Sequence, residues 1–358
     1  MHLALRGYRN LQPLDWQPGA RFNVFFGDNG AGKSNLLEAI FYLSSLRSFR
    51  GARGEELIAH RSEAAQLSAS IEAPGFPQKR SLQLFRARPR RLLIDDKRPR
   101  SLALWSRDLP QVIFHPGHLA LISGPPELRR EFIDAMLVAF DPTYGAALAA
   151  YQRALRSRNR LIRLKQLQPA SLRAFDEIMA TSGVVLIAAR ASLVSELAPR
   201  AAEAFEEVIG EDFPLELHYK PRVEGEIEQI RRSLAQSLEK DLARGFTAEG
   251  PHMDELLILT KRTQAKHFAS QGQQRAAVLA LKMAELDLLS RHLGRVPTLL
   301  LDDVSSELDR QRNRRFFGRL GRMGGQVFLT TTRPELIELD HPRSDLHLEA
   351  GEAKAPKA

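Results

Sequence analysis

Three patterns of apolar and polar residues alternate along the chain. Short compact apolar runs read as strands: His2 to Leu5, then Phe22-Asn23-Val24-Phe25-Phe26, with a polar turn between them. Alternating stretches at Gln66 to Ile71, Ser81 to Phe85 and Arg91 to Ile94 are separated by Pro-Gly and Asp-Asp turns. They predict a small antiparallel meander. The third pattern is helical. Asn35 to Leu43 has helical spacing without Gly or Pro, and Tyr144, Leu148, Tyr151, Leu155 and Ile162 recur every three or four residues behind Asp141-Pro142. After a break at Pro169, Leu172, Phe175, Met179, Leu186, Ala189, Leu193 and Leu197 form a second stripe. One stripe on each helix and a tight Gln-Pro connection predict an antiparallel helical hairpin.

Beyond the hairpin the pattern predicts strands at Phe213 to Tyr219 and Leu256 to Leu259, and helices from about Glu226 to Leu242 and from Arg275 to Leu293. A last buried strand, Pro297 to Leu301, ends in Asp302-Asp303. Pro110 to Gly124 reads as loop and, with Pro125-Pro126, as a domain boundary. The tail from Gly351 to Ala358 reads as disordered. The layout is α/β: residues 1–123 and 214–358 form a head, and 124–213 an inserted α-helical hairpin lobe.

Composition narrows the class. The chain has 358 residues, 43% apolar and 27% charged, as in an ordinary folded protein. The longest apolar run, Val184 to Ala189, is far too short to span a bilayer, and the N-terminus lacks a secretory h-region. No membrane partner and a cytoplasmic location are expected. With no Cys, disulfides and thiolate metal sites are excluded.

Charge adds a partner. The net charge is +9, which favours a polyanion. The meander region carries Arg47, Arg50, Arg53, Arg61, Lys79, Arg80, Arg86, Arg88, Arg90, Arg91, Lys97, Arg98, Arg100 and Arg107. That run fits a nucleic-acid-facing surface and a solvated sheet face equally well. The first hairpin helix holds Arg153, Arg156, Arg158, Arg160, Arg163 and Lys165 with no acid between Ala149 and Leu167, which favours an acidic partner.

The chemistry centres on Gly27-Asp28-Asn29-Gly30-Ala31-Gly32-Lys33-Ser34, which matches G-x-x-x-x-G-K-[ST] between a strand and a helix. Glycines let backbone N–H groups point at phosphate oxygens, and the helix that follows, opening at Asn35, presents its positive end. Lys33 would reach the β- and γ-phosphates of ATP, and Ser34 would place its hydroxyl on Mg²⁺. Asp302 would hold Mg²⁺ as well, while Asp303 would polarise the attacking water. Ser270-Gln271-Gly272-Gln273-Gln274 opens a long helix as a second anion site. His252, after Gly250-Pro251, reads as a structural turn residue.

Ser270 to Gln274 resembles the signature motif of ABC-type ATPases, in which Ser270, Gly272 and Gln273 would contact the γ-phosphate held by the opposite subunit. Asp302 to Asp309 resembles their Walker B and D-loop, and Gln326 to Thr332 takes the place of the strand leading to their switch residue. Within that superfamily the chain is similar to the RecF family of bacterial recombination mediators. Tyr8-Arg9-Asn10-Leu11, Arg47-Ser48-Phe49-Arg50, Gly124-Pro125-Pro126 with Arg129-Arg130, Gly250-Pro251-His252 and Ser270 to Gln274 carry that likeness.

The resemblance implies an ABC/SMC-type P-loop ATPase head, a homodimer formed on ATP binding and slow, DNA-stimulated ATP hydrolysis. It also implies contacts to gapped or ended double-stranded DNA, with Arg47, Arg50, Arg153, Arg156 and Arg160 as candidates, and partners of the RecR/RecO mediator type that help load recombinase. The sequence departs from the pattern in three places. Thr331 or Thr332 stands where transporters carry His, Gly117-His118 replaces an acidic pair and leaves Gln111 as the Q-loop candidate, and Asp303 stands where many relatives have Glu. The alternative is a nucleotide-binding subunit whose partner protein, rather than this chain, touches DNA or membrane. A transporter subunit would have no use for the basic hairpin, an SMC-type tether would need longer helices, and a metabolic kinase would not need Ser270.

Overall fold

The structure, a computed structural model, describes residues 2–72, 77–165, 169–209, 214–304 and 308–354. Strands β1 (His2–Arg6), β2 (Leu14–Trp16) and β3 (Phe22–Phe26) precede helix α1 (Lys33–Ser45). Strands β4 (Ala64–Glu72), β5 (Pro77–Phe85) and β6 (Arg91–Ile94), helix α2 (Leu102–Arg107) and strand β7 (Gln111–Phe114) follow. Next come helices α3 (Ala120–Ser123), α4 (Pro126–Phe140), α5 (Pro142–Leu164) and α6 (Pro169–Ile209). Strand β8 (Leu215–Lys220), helix α7 (Ile227–Arg244), strands β9 (Glu255–Thr260) and β10 (Thr263–Gln264), and helices α8 (Ala265–Phe268) and α9 (Gln271–Leu293) continue the chain. Strand β11 (Thr298–Leu301), helix α10 (Arg310–Arg322) and strands β12 (Val327–Thr331), β13 (Arg343–Glu349) and β14 (Glu352–Lys354) complete it.

The chain divides into two compact units: 1–118 with 207–210 and 294–358, and 119–206 with 211–293. The second therefore runs past the 124–213 lobe and takes in β8 to β10 and α9. In the first unit a six-stranded sheet has the order β14-β13-β3-β12-β11-β7, and every neighbouring pair from β13 to β7 is parallel. A strand buried on both faces favours apolar residues: Phe22, Val24 and Phe25 are buried, and so is Asn23, whose amide donates to the Gly19 and Val327 carbonyls at 3.1 and 3.3 Å. A five-stranded antiparallel sheet, β2-β1-β4-β5-β6, contains the expected meander. One core cluster joins the two sheets and α1 through Leu5, Phe25, Leu36, Ile40, Trp105 and Phe328.

Two expectations fail in this unit. Gln111 to Phe114 is a strand and not a loop, hydrogen-bonded to β11 with Val112 against Leu299. The tail is ordered as far as Lys354, because β14 pairs with β13, and residues 355–358 lie outside the described residues. Arg80 also leaves the basic surface: it is fully buried and donates to Asp108 at 3.1 Å and to the Trp105 carbonyl at 2.6 Å.

In the second unit the hairpin is antiparallel. Tyr144 of α5 meets Arg190 of α6 at 3.1 Å, while Arg158, further along α5, meets Asp176, which lies earlier in α6, at 2.7 Å. The linking residues 166–168 lie outside the described residues, as does Phe213 of the next expected strand. Asp141 caps α5 as expected, accepting from the backbone N–H of Thr143 and Tyr144. By length and composition α6 is apolar enough to cross a bilayer. Its Met179, Leu186, Leu193 and Leu197 are buried, however, and mid-helix Arg190 is paired with Asp134 and Asp254. These contacts make α6 a core helix.

Arg158 is likewise removed from the basic run. It is fully buried and holds Asp241, itself fully buried, at 2.8 Å, together with Thr247 at 2.7 Å. Arg153, Arg156 and Arg160 remain exposed, three and seven residues apart on one helical face, opposite buried Tyr151, Ala154 and Ile162. Arg158→Ala strands a buried carboxylate and should cost about 3–5 kcal/mol. Urea denaturation should show that loss, whereas Arg156→Ala stays within about 0.5 kcal/mol. Equal midpoints for the two variants would contradict the assignment.

Candidate functional site

The site is built where parallel strands end. Strand β3 stops at Phe26, the loop 27–32 turns, and α1 begins at Lys33. Gly27 has φ +144°, and a Cβ there would lie 2.1 Å from the Leu348 carbonyl oxygen, so no other residue fits. The loop is also gripped from outside. Asn10 donates to the Gly30 carbonyl at 3.1 Å, and the Gly351 N–H donates to the Ala31 carbonyl at 2.9 Å. The same Asn10 side chain accepts from Asn35 at 2.6 Å. The turn that follows β1 and the connection of the last hairpin thus fix the loop.

Lys33 Nζ donates to the Gly27 and Asp28 carbonyls at 2.8 and 2.9 Å. Burial pushes its pKa down, and the charges of Asp303, Asp28 and Asp302 offset this only in part. The ammonium lies in a cleft lined by Asn29, Gly30, Gly32, Ser34, Asn35 and Asp303, among others.

Across the sheet, Ser34 Oγ donates to Asp302 Oδ1 at 2.7 Å. Thr330, at the end of β12, donates to the same Asp302 oxygen at 2.8 Å and accepts from the Asp303 N–H at 2.9 Å. Asp303 has φ +54°, an uncommon conformation for a residue with a Cβ, and this turn directs the two adjacent acids differently. Ser34 and Asp302 therefore bring two hard oxygen donors to one point beside a phosphate-binding loop, a donor set that suits Mg²⁺.

Glu38 went unnoticed in the sequence. Its side chain is fully buried one turn into α1, and it accepts from Arg9 at 3.0 and 3.1 Å, from Arg50 and from Ser48. Burial raises its pKa, but the bonds from Arg9, Arg50 and Ser48 outweigh that and hold the carboxyl below its usual range. Arg50, a candidate DNA contact, is thereby tied to Glu38 and to Asn35 and lines the cleft. Arg47, at the end of α1, is exposed.

The Q-loop candidate Gln111 is misplaced. It lies at the start of β7, opposite Thr298, and donates to the Ile40 carbonyl at 3.2 Å, whereas the acids follow the other end of the neighbouring strand. His115 and His118, their rings tilted with centroids 4.0 Å apart, leave β7 on the side of the acids, where the Asp302 N–H donates to the Phe114 carbonyl. Thr332 lines the cleft, while Thr331 is buried and accepts from the Arg333 N–H. Ser305, Ser306 and Glu307 of the expected D-loop lie outside the described residues.

Helix α9 begins at Gln271, four residues before the expected start. Ser270 and Gln273 cap it reciprocally: the Ser270 N–H donates to Gln273 Oε1 at 2.9 Å and the Gln273 N–H to Ser270 Oγ at 3.3 Å. Gly272 lies in its first turn. His252 is structural, as expected: burial lowers its pKa, and its nitrogens bond Tyr151 and the Thr247 carbonyl. Arg129 is also structural, with a fork to Glu255 at 2.8 and 3.0 Å.

This geometry agrees with the comparisons to known proteins. The RecF/RecN/SMC N-terminal domain model matches residues 1–350. The DNA replication and repair protein RecF of Anaeromyxobacter sp. (strain Fw109-5) is 40% identical over 347 residues, which is 94% of this chain and 93% of that one. The chain belongs to the RecF family. RecF of Myxococcus xanthus (strain DK1622) is 36% identical over 346 residues, covering 94% of this chain and 91% of that protein. Among solved structures, the recombination mediator RecF–ATP of the RecFOR pathway aligns with TM-score 0.88 at 28% identity, over 99% of this chain and 98% of that one. An Smc head domain from Pyrococcus furiosus, at TM-score 0.61 and 16% identity over 99% and 94% of the two chains, shares the fold. The RecF-family fold is thus an ABC/SMC-type head, as the motifs implied.

Lys33→Met should weaken ATP binding at least about tenfold, because a charge-assisted contact to phosphate is lost. Gln111→Ala should leave ATP binding unchanged. Titration of a fluorescent ATP analogue measures both, and a Gln111→Ala defect as large as that of Lys33→Met would return Gln111 to the site.

Proposed function

We propose that this chain is an ATP-dependent DNA-binding protein of recombinational DNA repair and replication restart. The observation that carries the reading is the joint hold of Ser34 and Thr330 on Asp302 beside the P-loop lysine. It is the arrangement a nucleoside triphosphate with its metal requires, in a chain whose relatives are named DNA replication and repair protein RecF. The loop amides and Lys33 would bind the phosphates, and Ser34 and Asp302 would hold Mg²⁺, which would supply neutralising charge to the phosphoryl oxygens. Asp303 orients and polarises the attacking water. Its carboxylate is one methylene shorter than a glutamate's, which accords with slow turnover.

ATP acts as a linkage ligand. Ser270, Gly272 and Gln273 of one copy meet the γ-phosphate held by the other, so ATP favours a closed homodimer and hydrolysis opens it. Duplex DNA near gaps or ends binds through its phosphates, without base specificity, to Arg47 and to Arg153, Arg156 and Arg160 on α5. Arg50, held by Glu38, serves the nucleotide better than the DNA. The head comprises 1–123 and 214–358 and the arm 124–213, partners of the RecR/RecO type help load recombinase, and the protein works in the cytoplasm.

Asp303→Asn should lower DNA-stimulated hydrolysis about a hundredfold or more and leave an ATP-bound dimer. Ser270→Arg should bind ATP as a monomer. Phosphate release and sedimentation in ATP test both variants: unchanged turnover removes Asp303 from its role, and normal dimers of Ser270→Arg contradict the cross-subunit contact.

A further inference from the structure

Phe268 lies two residues before Ser270 and is 71% exposed, the most of any large apolar side chain among the described residues. The ring is carried on a fixed backbone. Ala265, at the start of α8, is fully buried, and the Gln274 carboxamide donates to the Ala269 carbonyl at 3.0 Å and the Ala265 carbonyl at 3.4 Å. The Ala269 N–H donates to the Ala265 carbonyl at 3.2 Å. Phe268 is thus tied to the start of α9, and the His267 ring stands edge-on to it at 6.4 Å. Holding an aromatic ring in water forgoes the gain of burying it.

The surroundings select what covers it. No acidic residue occurs from Leu256 to Ala284. Arg262, Lys266 and His267, close to Phe268 in sequence, are all exposed, and Arg262 takes φ +60° in the tight β9–β10 connection. Exposed cations with no acid beside them in sequence repel a basic partner and attract an anion, while a flat exposed ring seeks another flat face. A nucleotide has both properties: a polyanionic tail and an aromatic base.

We propose that Phe268 stacks on the base of the nucleotide held in the P-loop of a second copy of this chain, with Lys266 and Arg262 facing its phosphates. This rests on the ATP-driven dimer proposed above and adds the base to the γ-phosphate contact at Ser270. In a two-fold dimer each nucleotide is covered once, so losing the ring removes both contacts together.

The test uses full-length Asp303→Asn protein with and without Phe268→Ala. Sedimentation in ATP should show the dimer dissociation constant raised about tenfold or more by Phe268→Ala, with ATP affinity of the monomer unchanged. The emission of 2-aminopurine riboside triphosphate should be quenched when the Asp303→Asn protein dimerises. That quench should disappear in Phe268→Ala dimers formed at high protein concentration and persist with Phe268→Tyr. Equal dimerisation and equal quenching with and without the ring would overturn the stack and leave the dimer standing. Weaker dimerisation with an unchanged quench would overturn it too, putting the ring against protein instead of the base. If the Asp303→Asn protein fails to dimerise in ATP, the dimer falls and this contact falls with it.

Discussion

The hydrogen bond from Ser34 to Asp302 joins residues 268 positions apart, and the site exists only where it can form. It requires β3 and β11 to flank β12 in parallel, so that all three strands end at one level. Parallel strands need long crossover connections, which is where the rest of the chain goes. Thr330 occupies the end of the strand between them and ties the acidic pair to it. The apolar strands, helix α1 packed on them and the C-terminal hairpin that grips Ala31 are what keep this short polar contact in register.

Much of the basic charge serves the fold. Arg80 and Arg158 are fully buried, Arg190 nearly so, and each is matched by carboxylates and carbonyl oxygens. A buried guanidinium is tolerable when most of its donors are satisfied, as at Arg80, where only Nε is left without a hydrogen-bond partner among the described residues, and its planar fork allows several partners at once. Other basic side chains stay exposed, among them Arg47 at the end of α1, Arg88, Arg91 and Lys97 of the meander region, and Arg153, Arg156 and Arg160 on one face of α5. Under the proposed DNA contact, it is exposed charge of this kind, and not the total of +9, that a polyanion would meet.

The phosphate loop, its flanking strand and helix, the acidic pair, the meander and the hairpin were all legible, because each is written in local spacing. What escaped notice depends on distant partners. Strand β7 is only four residues, bounded by Pro110 and His115-Pro116, and its strand character comes from pairing with β11. Glu38 looks like any helix-surface acid until Arg9 and Arg50 close over it. The basic run of α5 has no acidic neighbours in sequence, yet Arg158 finds Asp176 and Asp241 across the fold. The ordered end of the chain was hidden for the same reason, since Gly351 earns its place through Ala31.

The central claim is that ATP at this site controls a grip on DNA phosphates. Fluorescence anisotropy of labelled duplex DNA with the Asp303→Asn protein, in ATP and in ADP across a salt series, tests it most directly. The account predicts tight binding in ATP alone, weakening steeply and log-linearly with salt. Binding indifferent to the nucleotide, or absent in both, would contradict it and assign the DNA contact to another protein.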